Sequence, residues 1–287
     1  MAKEVKFSKW HGLGNDFVIV DDRAGKFRFG AALLKKLGDR HYGIGFDQFM
    51  VVRKPSNLSK AAKARGEVQA DFRMELYNSD GSIAEMCGNG IRCFAMFLKE
   101  RKITKKANLA VETGAGIIRT SIKGKLVEVD MGEPILDGPK IPVHREGRMI
   151  SQPVNTKNGF YSVTAVSMGN PHAVIFVNDV AKVELEKDGP MLETHPSFPN
   201  RTNVEFAQVE SRNSINLRVW ERGAGATLAC GTGACATAVA GVLNNLSDRI
   251  VSVNLPGGTL KIRWDEGTNR VFMTGPAVEV FNGAFLI

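Results

Sequence analysis

Cys87-Gly-Asn-Gly90 returns 143 residues later as Cys230-Gly-Thr-Gly233. Each cysteine stands nine residues after a β-rich run, Met74-Glu-Leu-Tyr-Asn78 in the first case and Leu217-Arg-Val-Trp-Glu221 in the second. Further upstream, Phe7 to Val20 (FSKWHGLGNDFVIV) resembles Val163 to Phe176 (VTAVSMGNPHAVIF) at an offset of 155. The two offsets differ by 12, the length of Pro55 to Gly66 (PSNLSKAAKARG), a polar stretch without apolar periodicity. It reads as an insertion in a surface loop of the first half, mobile and without catalytic contacts. Self-similarity at this period points to two related domains. The join is expected near Met131-Gly-Glu-Pro134, giving a first half over 1–131 and a second over 132–276, with a last strand, about 277–287, free to return to the first half.

Working outward from the cysteines, each half begins with two β-rich runs around a Gly-Asn turn, at Gly14-Asn15 and Gly169-Asn170. Behind Cys87, Ile91, Phe94, Ala95 and Leu98 fall on one helical face; behind Cys230, Cys235, Val239, Val242 and Leu246 do the same. Elsewhere, over 126–131, 251–255 and 259–264, apolar and polar residues alternate as in strands. The expected class is α+β: two pseudo-symmetric domains, each a mostly antiparallel sheet or barrel wrapped around a central helix.

The 287 residues are 43% hydrophobic and 24% charged, a soluble globular balance with enough chain for a large core. No apolar run reaches membrane-spanning length, and the start, MAKEVKFSKW, has no signal core. The net charge of +8 comes from scattered Lys and Arg rather than a stripe interleaved with aromatics. That pattern favours small anionic partners over nucleic acid. The four cysteines, at 87, 93, 230 and 235, lack the paired CxxC of zinc ribbons and read as reduced thiols of a cytoplasmic protein, with no metal site expected. No dinucleotide or P-loop fingerprint is present, so no cofactor is expected.

A cysteine that opens a helix is drawn towards thiolate by the helix dipole and the unpaired N–H groups, which lower its pKa from about 8.5. The glycines let a ligand reach those N–H groups, an anion site suited to a carboxylate. A buried structural cysteine is the commoner meaning of one such motif, and Cys93 and Cys235 read that way. Two copies at equivalent places suggest a pair of thiols across a domain junction, one removing a proton and the other returning it to the opposite face of the same carbon.

The chain closely resembles the diaminopimelate epimerase family. The matching stretches are HGLGNDF (11–17), GIGFDQ (43–48), YNSDGS (77–82), CGNGIRC (87–93), SMGNPH (167–172), ERGAG (221–225), CGTGACA (230–236) and LPGG (255–258). The resemblance implies interconversion of LL- and meso-diaminopimelate without pyridoxal phosphate, in lysine and peptidoglycan precursor synthesis, by a homodimer. It implies Cys87 and Cys230 as the acid–base pair, with His172 and Glu221 setting their protonation. Gly88, Asn89, Gly231 and Thr232 would hold the carboxylate at the reacting centre, and Asn15, Gln48, Asn78, Asn170, Asn203, Glu221 and Arg222 would line the site. Arg222 would clasp the distal carboxylate with its planar fork.

Some positions depart from the family pattern. Ala226 stands where Glu usually precedes the Thr, Trp220 where Tyr is common, and Phe272 where some members place a Tyr at the dimer contact. The rival readings are a two-thiol racemase of proline or hydroxyproline, a thiol–disulfide redox protein and a small anion-binding module. Against the first, a proline-sized substrate has no distal carboxylate for Arg222, Asn78 and Asn203; against the second, no CxxC lies within one loop.

Overall fold

The computed structural model describes residues 3–59, 66, 68–157 and 159–287. The chain divides into two compact units, Met1–Val129 with Gly275–Ile287, and Asp130–Thr274.

The first unit runs β1 (Glu4–Gly12), β2 (Asn15–Asp21), α1 (Ala31–Gly38), β3 (Gln48–Arg53), β4 (Phe72–Asn78), β5 (Ile83–Ala84), α2 (Gly88–Glu100), β6 (Asn108–Thr113), β7 (Gly116–Lys123) and β8 (Leu126–Asp130). The second runs β9 (Gln152–Thr156), β10 (Gly159–Ser167), β11 (Pro171–Phe176), α3 (Leu185–Glu193), β12 (Asn203–Ser211), β13 (Ser214–Glu221), β14 (Gly225–Thr227), α4 (Gly231–Leu243), β15 (Ile250–Leu255), β16 (Gly258–Trp264) and β17 (Val271–Pro276). The last strand, β18 (Val278–Leu286), pairs antiparallel with β1 and belongs to the first unit.

Strand pairing repeats between the units. In the first, β18, β1 and β2 are antiparallel neighbours, β2 and β3 are parallel, β3 and β4 antiparallel, β4 and β6 parallel, and β6, β7 and β8 antiparallel. In the second, β9, β10 and β11 are antiparallel, β11 and β12 parallel, β12 and β13 antiparallel, β13 and β15 parallel, and β15, β16 and β17 antiparallel. Thus β18 takes in the first unit the place that β9 takes in the second. This is the sheet-rich α+β, two-domain architecture that the repeated motifs predict.

Each long helix is the filling of its sheet. From Gly88 to Leu98 every residue of α2 is buried, and the helix packs on β1, β2 and β7. Helix α4 is buried from Gly233 to Gly241 and packs on β10, β11, β12, β15 and β16. A helix apolar all round is what a core position requires, and α4 fits, with Ala234, Cys235, Ala236, Ala238, Val239 and Ala240 in its interior. The expected helical face reaches Leu246, but α4 stops at Leu243, and Asn245 takes a left-handed φ of 58° that Asn tolerates. Leu246 therefore lies beyond the helix and is partly exposed.

Separate apolar clusters lie beside these helices. Phe29, Phe46 and Phe285 surround the fully buried Phe49 with ring centroids 5.0, 5.6 and 6.4 Å away. In the second unit, Val163, Ala165, Ile175, Leu192, Val204 and Phe206 form the equivalent layer. Of the predicted insertion, residues 60–65 lie outside the described residues; at its start, Ser56 donates from N and Oγ to the carboxylate of Glu112, each at 2.7 Å.

Candidate active site

In the first unit the site elements are the β1–β2 turn, the start of β3, the end of β4 and the first turn of α2. The β1–β2 turn is tight: Leu13 and Gly14 both adopt left-handed φ, 59° and 86°. It delivers Asn15 to the start of β2. Asn15 Oδ1 accepts from the Cys87 thiol at 3.5 Å and from Asn89 Nδ2 at 3.4 Å. Cys87 is the N-cap of α2, its sulfur accepting from Gly90 N at 3.4 Å, a task that Ser, Thr, Asp or Asn usually performs. Asn15, Cys87, Gly88 and Asn89 therefore form one cluster. Gln48 and Asn78 face each other across β3 and β4, with Gln48 Nε2 donating to Asn78 Oδ1 at 3.0 Å.

Two supports of this cluster rest on residues to which the sequence assigned no role, although Arg92, Asp16 and Asp47 lie inside the matching stretches. The first is Arg92, fully buried one turn into α2. Its Nη1 donates to Gly88 O at 3.2 Å and Asn89 Oδ1 at 3.0 Å, and its Nε donates to Pro276 O at 3.2 Å. Because Asn89 Oδ1 is engaged this way, its amide nitrogen is the end that meets Asn15. The second is an ion network behind Asn15. Asn15 Nδ2 donates to Asp47 Oδ2 at 2.8 Å. Arg40 forks onto both oxygens of Asp16 at 2.9 and 3.0 Å, and Lys9 Nζ lies 2.6 Å from Asp16 Oδ2.

Burial alone would raise the Asp16 carboxyl, but hydrogen bonds from Arg40 and Lys9 hold it well below the usual carboxylate range. A depressed folded-state pKa contributes stability that is fully present above the ordinary value of 3.8 and is lost as pH falls below it. Urea unfolding midpoints of the parent and of Asp16→Asn are expected to differ most at neutral pH and to draw together progressively as pH falls below 3.8. A pH-independent difference would refute the ionic origin.

In the second unit the β10–β11 turn, at Met168 and Gly169 (φ 98°), delivers Asn170 and His172 to β11. His172 is fully buried. Its Nε2 is 3.0 Å from Asn170 Oδ1, and its Nδ1 is 2.6 Å from Oε1 of Glu205, a residue in β12 that is also fully buried. Asn203, at the start of β12, donates to Pro171 O and accepts the backbone N–H of Arg222, both at 2.9 Å. The Arg222 guanidinium donates to Asn200 O at 3.1 Å. Glu221 accepts from Thr227 Oγ1 at 2.5 Å. Cys230 caps α4 as Cys87 caps α2: its sulfur accepts from Gly233 N at 3.3 Å and lies 3.4 Å from Thr232 Oγ1. At the departing positions, Trp220 Nε1 donates to Glu193 Oε2 at 2.8 Å, and Phe272 lies under the Arg263 guanidinium, 4.1 Å from the ring centre.

One expectation is corrected. The helix start should draw Cys230 towards thiolate, yet its thiol is pushed well up, first by burial and then by the carboxylates of Glu221 and Glu205. A buried charge near two acids costs more than the helix dipole returns. Cys93, buried in α2, is pushed up to about 12 by its burial. The sequence assigned no role to Glu205, to Arg92 or to Asp16 with its two cations, although Arg92 and Asp16 lie inside the matching stretches. No local signal marks Glu205, which stands between Val204 and Phe206 as an acid of an alternating strand would; only the structure shows that it is enclosed.

Among the described residues no group of three or more His, Cys, Asp or Glu is placed to hold a metal ion, and no helix is long and apolar enough to cross a membrane.

The fold defines a class of two-unit proteins with diverse names. A Bacillus anthracis phenazine biosynthesis protein of the PhzF family matches with a TM-score of 0.68 at 17% identity, over 99% of this chain and 100% of that one. A hydroxyproline epimerase from Agrobacterium vitis matches with a TM-score of 0.67 at 14% identity, over 99% and 93%. Sequence narrows the class: a family profile described as diaminopimelate epimerase matches residues 7–136 and 164–280. Diaminopimelate epimerases of Agathobacter rectalis and Acetivibrio thermocellus are each 48% identical over 97% of this chain and 98% of theirs. The chain belongs to the diaminopimelate epimerase family.

Proposed function

We propose that this protein is an isomerase of an amino acid that interconverts LL- and meso-diaminopimelate, with Cys87 and Cys230 as its two bases. The observation that carries the reading is the paired helix cap: in each unit a cysteine sulfur sits on the first turn of a buried helix, followed by glycine at the first and third helical positions. Membership of the family supplies the substrate.

In the proposed reaction one sulfur, as thiolate, takes the α-proton while the other, as thiol, supplies a proton to the opposite face. The N–H groups at the two helix starts hold the α-carboxylate and stabilise the charge that spreads onto it as the proton leaves. Asn15, Asn89 and Thr232 border the sulfurs within their units and orient the bound zwitterion. Gln48, Asn78, Asn170, Asn203 and Arg222 bind the rest of the substrate, Arg222 by turning its fork to the distal carboxylate. Glu221, which raises the Cys230 thiol, and His172 set the protonation of the pair. The reading extends to a homodimer, for which β18 leaves Val278, Val280 and Phe281 exposed, and to a cytoplasmic setting that keeps the thiols reduced.

The test is incubation with LL-diaminopimelate in D₂O, followed by mass and chirality of the product. One solvent deuteron per inverted centre is expected, with no turnover of L-proline. Inversion without deuterium, or turnover of proline alone, would overturn the reading.

A further inference from the structure

The two units repeat each other in sequence and strand order, so equivalent positions can be compared. Phe17 in β2 corresponds to His172 in β11, and Met50 in β3 corresponds to Glu205 in β12, all at the offset of 155. All four side chains are fully buried. A Cβ on Gly90 would meet Phe17 Cε1 at 3.2 Å and Met50 Sδ at 3.5 Å. A Cβ on the equivalent Gly233 would meet Glu205 Oε1 at 2.8 Å and the Cys230 sulfur at 3.3 Å. One thiol turn therefore rests on an apolar pair, the other on a carboxyl that is itself held by an imidazole. Gly233 is also what lets Glu205 approach that turn.

The proton count of the polar pair follows from its contacts. Asn170 Oδ1 can only accept, so His172 Nε2 carries hydrogen. The 2.6 Å contact between Nδ1 and Glu205 Oε1 then holds one proton, on nitrogen or on oxygen, and either placement leaves the pair with no net charge. Losing that proton would strand a buried anion, and gaining another would strand a buried cation; both are costly. Glu205 Oε2 is buried with no hydrogen-bond partner among the described residues, so no donor neutralises that oxygen. A thiolate on Cys230 would form against this oxygen-rich face and against Glu221. A thiolate on Cys87 would meet no carboxylate from Phe17 or Met50.

We propose that Glu205 is a positioning residue: paired with His172 beneath the first turn of α4, it fixes His172 with hydrogen on Nε2 and keeps Cys230 as the thiol of the resting protein, leaving Cys87 as the sulfur that ionises first. The proposal deepens the two-thiol reading and rests on it. The charged groups acting on the Cys230 sulfur are Glu221 from the end of β13 and Glu205 from β12; those acting on Glu205 are His172 from β11 and Glu221.

The experiment follows alkylation of each cysteine by iodoacetamide from pH 6 to 10 in the full-length protein, with mass spectrometry of the cysteine peptides. The plateau rate reports access to each sulfur, and the midpoint reports its ionisation. In the parent, Cys230 is expected to have a midpoint above the ordinary thiol value of about 8.5 and above that of Cys87. Glu205→Gln keeps the size and a hydrogen bond to Nδ1 but cannot carry charge; Glu205→Met copies the other unit. Both should lower the Cys230 midpoint by at least about one unit, roughly tenfold more thiolate at pH 8, with Cys87 unmoved. A parent midpoint of Cys230 at or below that of Cys87 overturns the proposal, whether or not a variant folds. So does a Cys230 midpoint unchanged in either folded variant, or a shift shared equally by both cysteines. The titration needs no substrate, so failure of the epimerase reading registers separately, in the D₂O assay.

Discussion

Replacing either Cys87 or Cys230 by alanine is expected to lower epimerisation of LL-diaminopimelate by at least about 10³-fold and to stop deuterium uptake at the α-carbon. Positioned acid–base groups contribute roughly 10²–10⁴-fold each, and inversion needs both in the same turnover. The folded state should persist in both variants. Each sulfur caps its helix through a single N–H contact, at 3.4 Å for Cys87 and 3.3 Å for Cys230. Loss of a cap costs about 1 kcal/mol, well inside the stability of a domain. Circular dichroism and urea unfolding would establish that, and chiral chromatography of the product would establish the activity. Inversion above a tenth of the parent rate in either folded variant would eliminate that cysteine as a base, and the anion-binding reading would then gain.

Arg92→Met is expected to be the most damaging change outside the thiols. It removes the donor to Gly88 O, Asn89 Oδ1 and Pro276 O from a site with no exposure. Leaving a buried acceptor without its partner costs about 1–3 kcal/mol; Gly88 O keeps its helical N–H bond, so Asn89 Oδ1 and Pro276 O put the loss at about 2 kcal/mol or more. Met fills much of the same volume, which separates the lost hydrogen bonds from a cavity. The Asn89 amide would also be released to turn, so the surviving folded fraction should bind substrate more weakly, with KM raised more than kcat is lowered. Urea unfolding measures the first effect and steady-state kinetics the second. A loss under about 1 kcal/mol would mean that solvent or a shifted side chain takes over the role of Arg92.

What could be read from the sequence is what repeats or breaks a local rule. The two Cys-Gly-x-Gly turns, the Gly-Asn hairpins and the helical faces after the cysteines are local signals, and they carry the α+β class and the duplicated architecture. The parallel pairings of β2 with β3 and of β11 with β12 are not local, because a crossover leaves no mark on either strand. Burial is equally invisible. Arg92 reads as one more cation on a helix, and Glu205 as one more acid in an alternating strand, yet both are enclosed. The rise of the Cys230 thiol has the same origin, since its helix start is visible and its two acids are not. Leu246 misled because apolar spacing continued past the point where Asn245 ends the helix.

The pairing of β18 with β1, closed by two backbone hydrogen bonds between Lys3 and Ile287, has a consequence for biosynthesis. Everything that makes up the second unit leaves the ribosome before the strand that finishes the first. During synthesis β1 therefore waits with one edge bare, and it carries Val5, Phe7 and Trp10, all buried once β18 is in place. A nascent chain stalled after β17 would hold the whole of the second unit while β1 of the first stayed open to wrong partners.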